Sequence, residues 1–156
     1  MGATALVAAP IALRRPTIES WLALWLAEAL VAVTLALVAM HWKASGLGTP
    51  ILSIPGRRLF AGLLPALFAG GVLTLALLRA DDPRQIPGVW LLLYGVAVMQ
   101  AGAFSVRTIP LMGAVFVLAG AIALPLPWWW ANFMLAVGFG LIHIAVGAYI
   151  ARRHGG

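Results

Sequence analysis

The residues best suited to chemistry are an acid, an imidazole, a phenol and an amide, each set inside a long apolar run: Glu28, His143, Tyr94 and Gln100. Glu28 falls near the middle of the run at 21–40. Trp21, Trp25, Ala32 and Leu35 follow helical spacing around it, so the carboxyl shares a face with two indoles. An ionised carboxylate at the centre of a bilayer is expensive. Glu28 therefore reads either as a proton, cation, quinone or lipid-headgroup site, or as a protonated acid hydrogen-bonded to a neighbouring helix. His143 shares a face with Gly140, Gly147 and Ala151, and small residues at that spacing allow close helix approach. Its imidazole is expected inside the bundle or at an oligomer seam. There it is either a proton relay or haem ligand, or a neutral histidine bonded across helices. One mid-membrane histidine leaves a two-histidine haem dependent on a second copy or a partner chain. Tyr94 comes level with Glu28, and Gln100 comes level with His143. The four could form one mid-membrane polar cluster between these runs, and isolated interhelical hydrogen bonds of about 1 kcal/mol each are an equally good account.

Other positions carry structural readings beside functional ones. Pro65 with Gly70 and Gly71 predicts a helix break that would present backbone groups to a substrate or ion, or else a packing kink. Arg107 stands at the tightest turn of the chain, to hold a lipid phosphate, to cap helix carbonyls or to mark an interface. Gly113 and Gly120, and Gly140 and Gly147, read as helix-packing stripes. Trp42, Trp90 and the run Trp128, Trp129, Trp130 fit an interfacial aromatic belt.

The elements that must position these residues follow from composition. Of 156 residues, 63% are hydrophobic and 9% charged, with a net charge of +6; the mean hydropathy is +1.05. That composition excludes a water-soluble globule and a nucleic-acid partner. Apolar stretches of about 18 residues or more point to membrane helices, and five are expected, at about 18–41, 58–79, 87–105, 108–125 and 128–151. The third and fourth meet at Arg107, where Pro110 opposes one unbroken helix. A tight hairpin gives five spans; a re-entrant pair with Arg107 buried gives four crossings. Residues 1–16 read as an interfacial segment or as disordered. The expected fold is an all-α integral membrane protein, a single helical-bundle domain over 1–156.

Most charges mark the ends of these runs, and their distribution places the C-terminus in the cytoplasm. The absence of cysteine excludes disulfides, thiolate nucleophiles and cysteine-ligated zinc. No hydrolase, metalloprotease, phosphate-loop or dinucleotide-binding pattern occurs. No enzyme activity, metal or cofactor is expected.

The stretch Ile86-Pro87-Gly88-Val89-Trp90, continuing through Gly102-Ala103-Phe104-Ser105-Val106-Arg107 to Pro110-Leu111-Met112-Gly113, resembles a set of small bacterial polytopic membrane proteins with no assigned activity. The ending from Gly138 through His143 to Arg153 is similar too. The resemblance covers the last 70 or so residues and implies a bacterial cytoplasmic membrane. It brings no activity, cofactor or site residue. The leading expectation is an accessory or interaction subunit of a homo- or hetero-oligomeric membrane complex. A small proton- or ion-coupled transporter or channel comes second, and a haem- or quinone-binding redox subunit third.

Overall fold

The computed structural model is all-helical, with no strand among the described residues, which are 2–46, 54–103 and 106–154. Helix α1 (Gly2–Ala12) is followed by α2 (Ile18–Gly46) and α3 (Ile54–Arg79). A 3-10 turn at Pro83–Gln85 leads into α4 (Ile86–Gly102), and α5 (Thr108–Ala123) follows. The last element opens with a 3-10 turn at Trp128–Trp130. It continues as α6 (Ala131–Leu135), a π-helical segment (Ala136–Ile142) and α7 (His143–His154). Four helical stretches are long and apolar enough to cross a membrane: Ile18–Trp42, Phe60–Arg79, Pro83–Gly102 and Trp128–Arg153. Helix α5 is apolar but has 16 residues, a rise of about 24 Å.

Helices α4 and α5 form the most closely packed pair. Gly88, Gly95 and Gly102 recur every seven residues on α4, and Gly113 and Gly120 do so on α5. A Cβ on Gly95 would lie 2.7 Å from the Gly113 carbonyl oxygen, and one on Gly120 would lie 2.6 Å from the Leu92 amide nitrogen. Gly102 faces Ile109 and Pro110, while Gly88 faces Leu124, so the pair is antiparallel and in register from end to end. The turn between them carries Arg107, exposed, at the start of α5. The chain therefore turns back at this point, as Pro110 and the short linker require.

Helix α3 corrects one expectation: it is continuous from Ile54 to Arg79 through Pro65, Gly70 and Gly71. Gly70 instead seats a ring, since a Cβ there would stand 2.9 Å from the Trp90 indole. The Thr74 hydroxyl donates to the Gly70 carbonyl (2.7 Å) and accepts from Trp90 Nε1 (3.0 Å). Trp90 thus bonds α4 to α3. Gly71 faces open space.

The N-terminal segment also differs from expectation. Ala5, Ala8, Ala9 and Ala12 follow the i, i+3, i+4, i+7 pattern and are all buried. Helix α1 lies against α2, α6, the π segment and α7. Its contacts depend on small side chains: a Cβ on Gly2 would meet the Gly140 carbonyl oxygen at 2.6 Å, and one on Gly140 would meet Leu6 at 2.6 Å. The run is only weakly amphipathic because its outward face, with Leu6, Val7 and Ile11, is apolar as well.

Overpacking of this kind costs about 1–3 kcal/mol. Gly95→Val is expected to lower the thermal midpoint of the detergent-purified protein by several degrees. Gly71→Ala, which meets nothing, is expected to leave the midpoint unchanged or raise it. Differential scanning fluorimetry on the two variants checks the contrast.

Candidate functional site

The π segment immediately precedes His143. A π-turn lodges an extra residue in the helix, and such turns occur frequently at functional sites. Gly138 within it makes room for Leu91 and Phe116, against which any side chain would clash. Beyond the segment the His143 imidazole meets Tyr94 of α4. The phenolic oxygen lies 2.8 Å from Nε2. Tyr94, Phe116, Phe139 and His143 are all in mutual ring contact. Phe116 meets Tyr94 edge-on at 4.8 Å and His143 at 5.3 Å, while Phe139 stacks on the imidazole at 6.2 Å. Phe116 is fully buried at the centre of this group.

Two proton arrangements fit the pair. In one, the phenol donates to Nε2 and the neutral imidazole carries its proton on Nδ1. In the other, Nε2–H donates to the phenolic oxygen. Nδ1 is buried and has no hydrogen-bond partner of good geometry. The arrangement can hold a proton between phenol and imidazole, with the second ring nitrogen buried and unpaired among the described residues.

Glu28 belongs to a different group. It is buried, and its carboxyl accepts a hydrogen bond from Thr4 Oγ1 of α1 at 3.0 Å. Gln100 is exposed near the C-terminal end of α4. Of the two arrangements open to these residues, separate interhelical bonds form and the single four-residue cluster does not: Tyr94 and His143 meet, Glu28 bonds to α1, and Gln100 faces outward. Depth alone left the azimuths undetermined, and α1 occupies the side of α2 on which Glu28 lies.

A third polar group escaped the sequence reading. Trp21 Nε1 and Trp25 Nε1 both donate to Asn132 Oδ1, at 2.8 and 3.0 Å. Trp128 packs on Trp21 at 4.7 Å. Asn132 is the chain's one asparagine, placed directly after three tryptophans and an alanine, and that isolation was the available signal. The tryptophans one and two helical turns before Glu28 thus anchor α2 to α6, and Trp129 remains exposed.

The remaining positions are structural or open. Gly113, Gly120 and Gly140 lie at close helix contacts, whereas a Cβ on Gly147 would meet nothing within 4 Å among the described residues. Phe104 and Ser105, between Gly102 and Arg107, lie outside the described residues. Among the described residues, no group of three or more His, Cys, Asp or Glu side chains could hold a metal ion. Comparison with protein-family models, curated proteins and solved structures finds no match to this chain.

Leaving a buried polar group unpaired costs about 1–3 kcal/mol. Tyr94→Phe and His143→Leu are each expected to destabilise the protein. The double variant should cost less than the sum of the two, because it leaves no orphaned partner. Asn132→Leu, which strands two indole N–H groups, is expected to cost more than Tyr94→Phe. Thermal unfolding in one detergent checks both the order and the non-additivity.

Proposed function

We propose that this chain is a small integral membrane protein of five crossings that acts by assembly, packing through α2 against further copies of itself or other membrane subunits. The observation that carries this reading is the state of α2 beyond Glu28. Leu30 is 69% exposed, Val31 48% and Leu35 45%, and Val33, Leu37 and Val38 are exposed as well. A helix apolar all round belongs in a bilayer or inside a larger assembly. The face that meets α1 in its first half continues through Ala32 and Ala36. Residues of this size let a second helix approach closely, and in lipid such contact drives association.

Several features agree with this role. Helix α5 accompanies α4 along its whole length, which supports a fifth crossing despite its 16 residues. The polar groups of the interior are bonded across helices, Thr4 to Glu28, Trp21 and Trp25 to Asn132, and Tyr94 to His143, as scaffold joints are. The charge distribution favours a cytoplasmic C-terminus, and the resemblance favours a bacterial cytoplasmic membrane.

The absence of cysteine makes the test direct. Single substitutions Ala32→Cys, Val33→Cys, Ala36→Cys and Leu37→Cys, introduced in turn, are expected to cross-link in native membranes with helical periodicity, strongest at 32 and 36. Uniformly absent cross-linking to any protein would overturn the assembly role.

A second reading rests on the Tyr94–His143 bond beside a π-turn. It assigns proton handling across the membrane to this pair. Purified protein in proteoliposomes is then expected to carry a proton flux that His143→Ala abolishes. Equal flux in wild type, His143→Ala and Glu28→Gln would remove this reading.

A further inference from the structure

The Tyr94–His143 joint holds a proton but offers it no onward partner. Nδ1, the ring nitrogen turned away from the phenol, is buried and unpaired among the described residues. To relay a proton, the ring must move. The helix that carries it contains the means. The π segment Ala136–Ile142 ends at the residue before His143, and a π-turn lodges one residue more than α geometry would. When such a turn closes to α geometry, everything beyond it rolls by one residue, about 100°, and advances by about 1.5 Å.

Helix hand sets the direction of the roll. His143 moves to the azimuth that Ile144 occupies now, and Ile142 takes its place beside Tyr94. Both places suit their new residues. Ile144 lies against α1 where Gly2 carries no side chain, its Cγ1 2.6 Å from where a Cβ on Gly2 would be, and an imidazole is no bulkier than the isoleucine it replaces. Ile142 is already packed against the core. Helix α7 itself is sparsely packed: Ile144 is 44% exposed and Tyr149 46%, and a Cβ on Gly147 would meet nothing within 4 Å among the described residues. The half-buried face of α7 carries His143, Val146 and Ile150, and the face that would replace it carries Ile142, Ala145 and Tyr149. Neither face bears a formal charge, so either can lie against the bundle.

We propose that His143 has two positions, one on Tyr94 and one beside Gly2 of α1, exchanged by closure and return of the π-turn. These positions rest on the second reading above, proton handling by the pair, and add the route by which the ring leaves the phenol. On Tyr94 the imidazole is walled by Phe116 and Phe139; beside Gly2 it stands at the half-exposed azimuth of Ile144. A ring that takes up one proton in one position carries it as imidazolium and releases one proton in the other. Phenol and imidazole end each cycle as they began.

The test counts the ring environments of His143. The full-length chain with His41→Gln and His154→Gln, carrying isotope-labelled histidine in bilayers, is expected to give two sets of ring-nitrogen signals by solid-state NMR. Tyr94→Phe is expected to shift their ratio about fivefold toward the second set, the worth of one hydrogen bond. Deletion of Val137, half-buried within the segment, removes the extra residue and leaves His143 on Tyr94. The deletion is expected to give the phenol-bonded set alone, while Val137→Ala, which keeps the length, retains both. A single set from the full-length chain, a ratio unmoved by Tyr94→Phe, or two sets persisting in a folded deletion variant would overturn the two positions. Proton flux in proteoliposomes is read separately. Two sets without flux overturn proton handling and leave the roll, whereas flux undiminished by the deletion overturns the roll as the proton's route.

Discussion

Where α4 meets α5 the two backbones touch. The Gly113 carbonyl oxygen lies 2.7 Å from where a Cβ on Gly95 would be, and the Gly95 carbonyl oxygen 2.6 Å from a Cβ on Gly113. The alanine face of α1 repeats the principle between α2 and the last helix. For a chain in a bilayer, as proposed for this one, lipid tails are as apolar as leucine, so burying apolar area contributes little to holding helices together. Van der Waals contact between close backbones and hydrogen bonds between side chains must do it. The glycine and alanine seams bring the helices near enough for the second kind of contact. Tyr94 reaches His143 because Gly95, next to it, holds α4 against α5, and because Gly138 lets the π segment settle on Leu91 and Phe116.

The polar interior is correspondingly divided. Each polar group joins two helices: Thr4 and Glu28 bring α1 to α2, Trp21 and Trp25 bring α2 to α6 through Asn132, Trp90 and Thr74 bring α4 to α3, and Tyr94 and His143 bring α4 to α7. Such bonds are worth about 1 kcal/mol each in a membrane, but they are directional and fix azimuth where apolar packing does not. The π segment is the exception to regular geometry. It precedes the one imidazole of the core, whose Nδ1 is the buried side-chain polar atom left without a partner among the described residues.

Much of the architecture was legible from residue type. Apolar run length predicted the long helices, because a span needs about 20 residues of hydrocarbon-compatible side chains. Pro110 and the linker at Arg107 predicted the turn between α4 and α5. The stripes at Gly113 and Gly120 predicted close contact, although their partners Gly88, Gly95 and Gly102 went unread. The misreadings share a cause. Gly70 beside Gly71 looked like a break because a glycine pair can be one, but Gly70 makes space for Trp90 from another helix. Residues 1–16 read as interfacial or disordered because alanine carries little amphipathic signal, and a face of alanines becomes a packing face only when another helix is there to meet it. Asn132 was passed over because nothing local distinguishes a surface amide from an acceptor for two indoles on a helix more than 100 residues away in sequence.

By itself the sequence determined the long apolar helices and named three of the interior's polar residues, Glu28, Tyr94 and His143, since these follow from local length, hydropathy and residue type. Run length and charge bounded depth only roughly: Tyr94, read as level with Glu28, is the residue that meets His143, in place of Gln100. Only the tertiary structure decided which polar residues meet. Two residues level with each other can face any direction, and azimuth depends on how each helix rolls against its neighbours. Rolling α4 on its glycines turned Tyr94 toward His143, and insertion of α1 gave Glu28 its own partner, so one expected cluster became separate joints. The π-turn was likewise decided by packing: helix pitch at Gly138 answers to Leu91 and Phe116, which are distant in sequence and adjacent only in the fold.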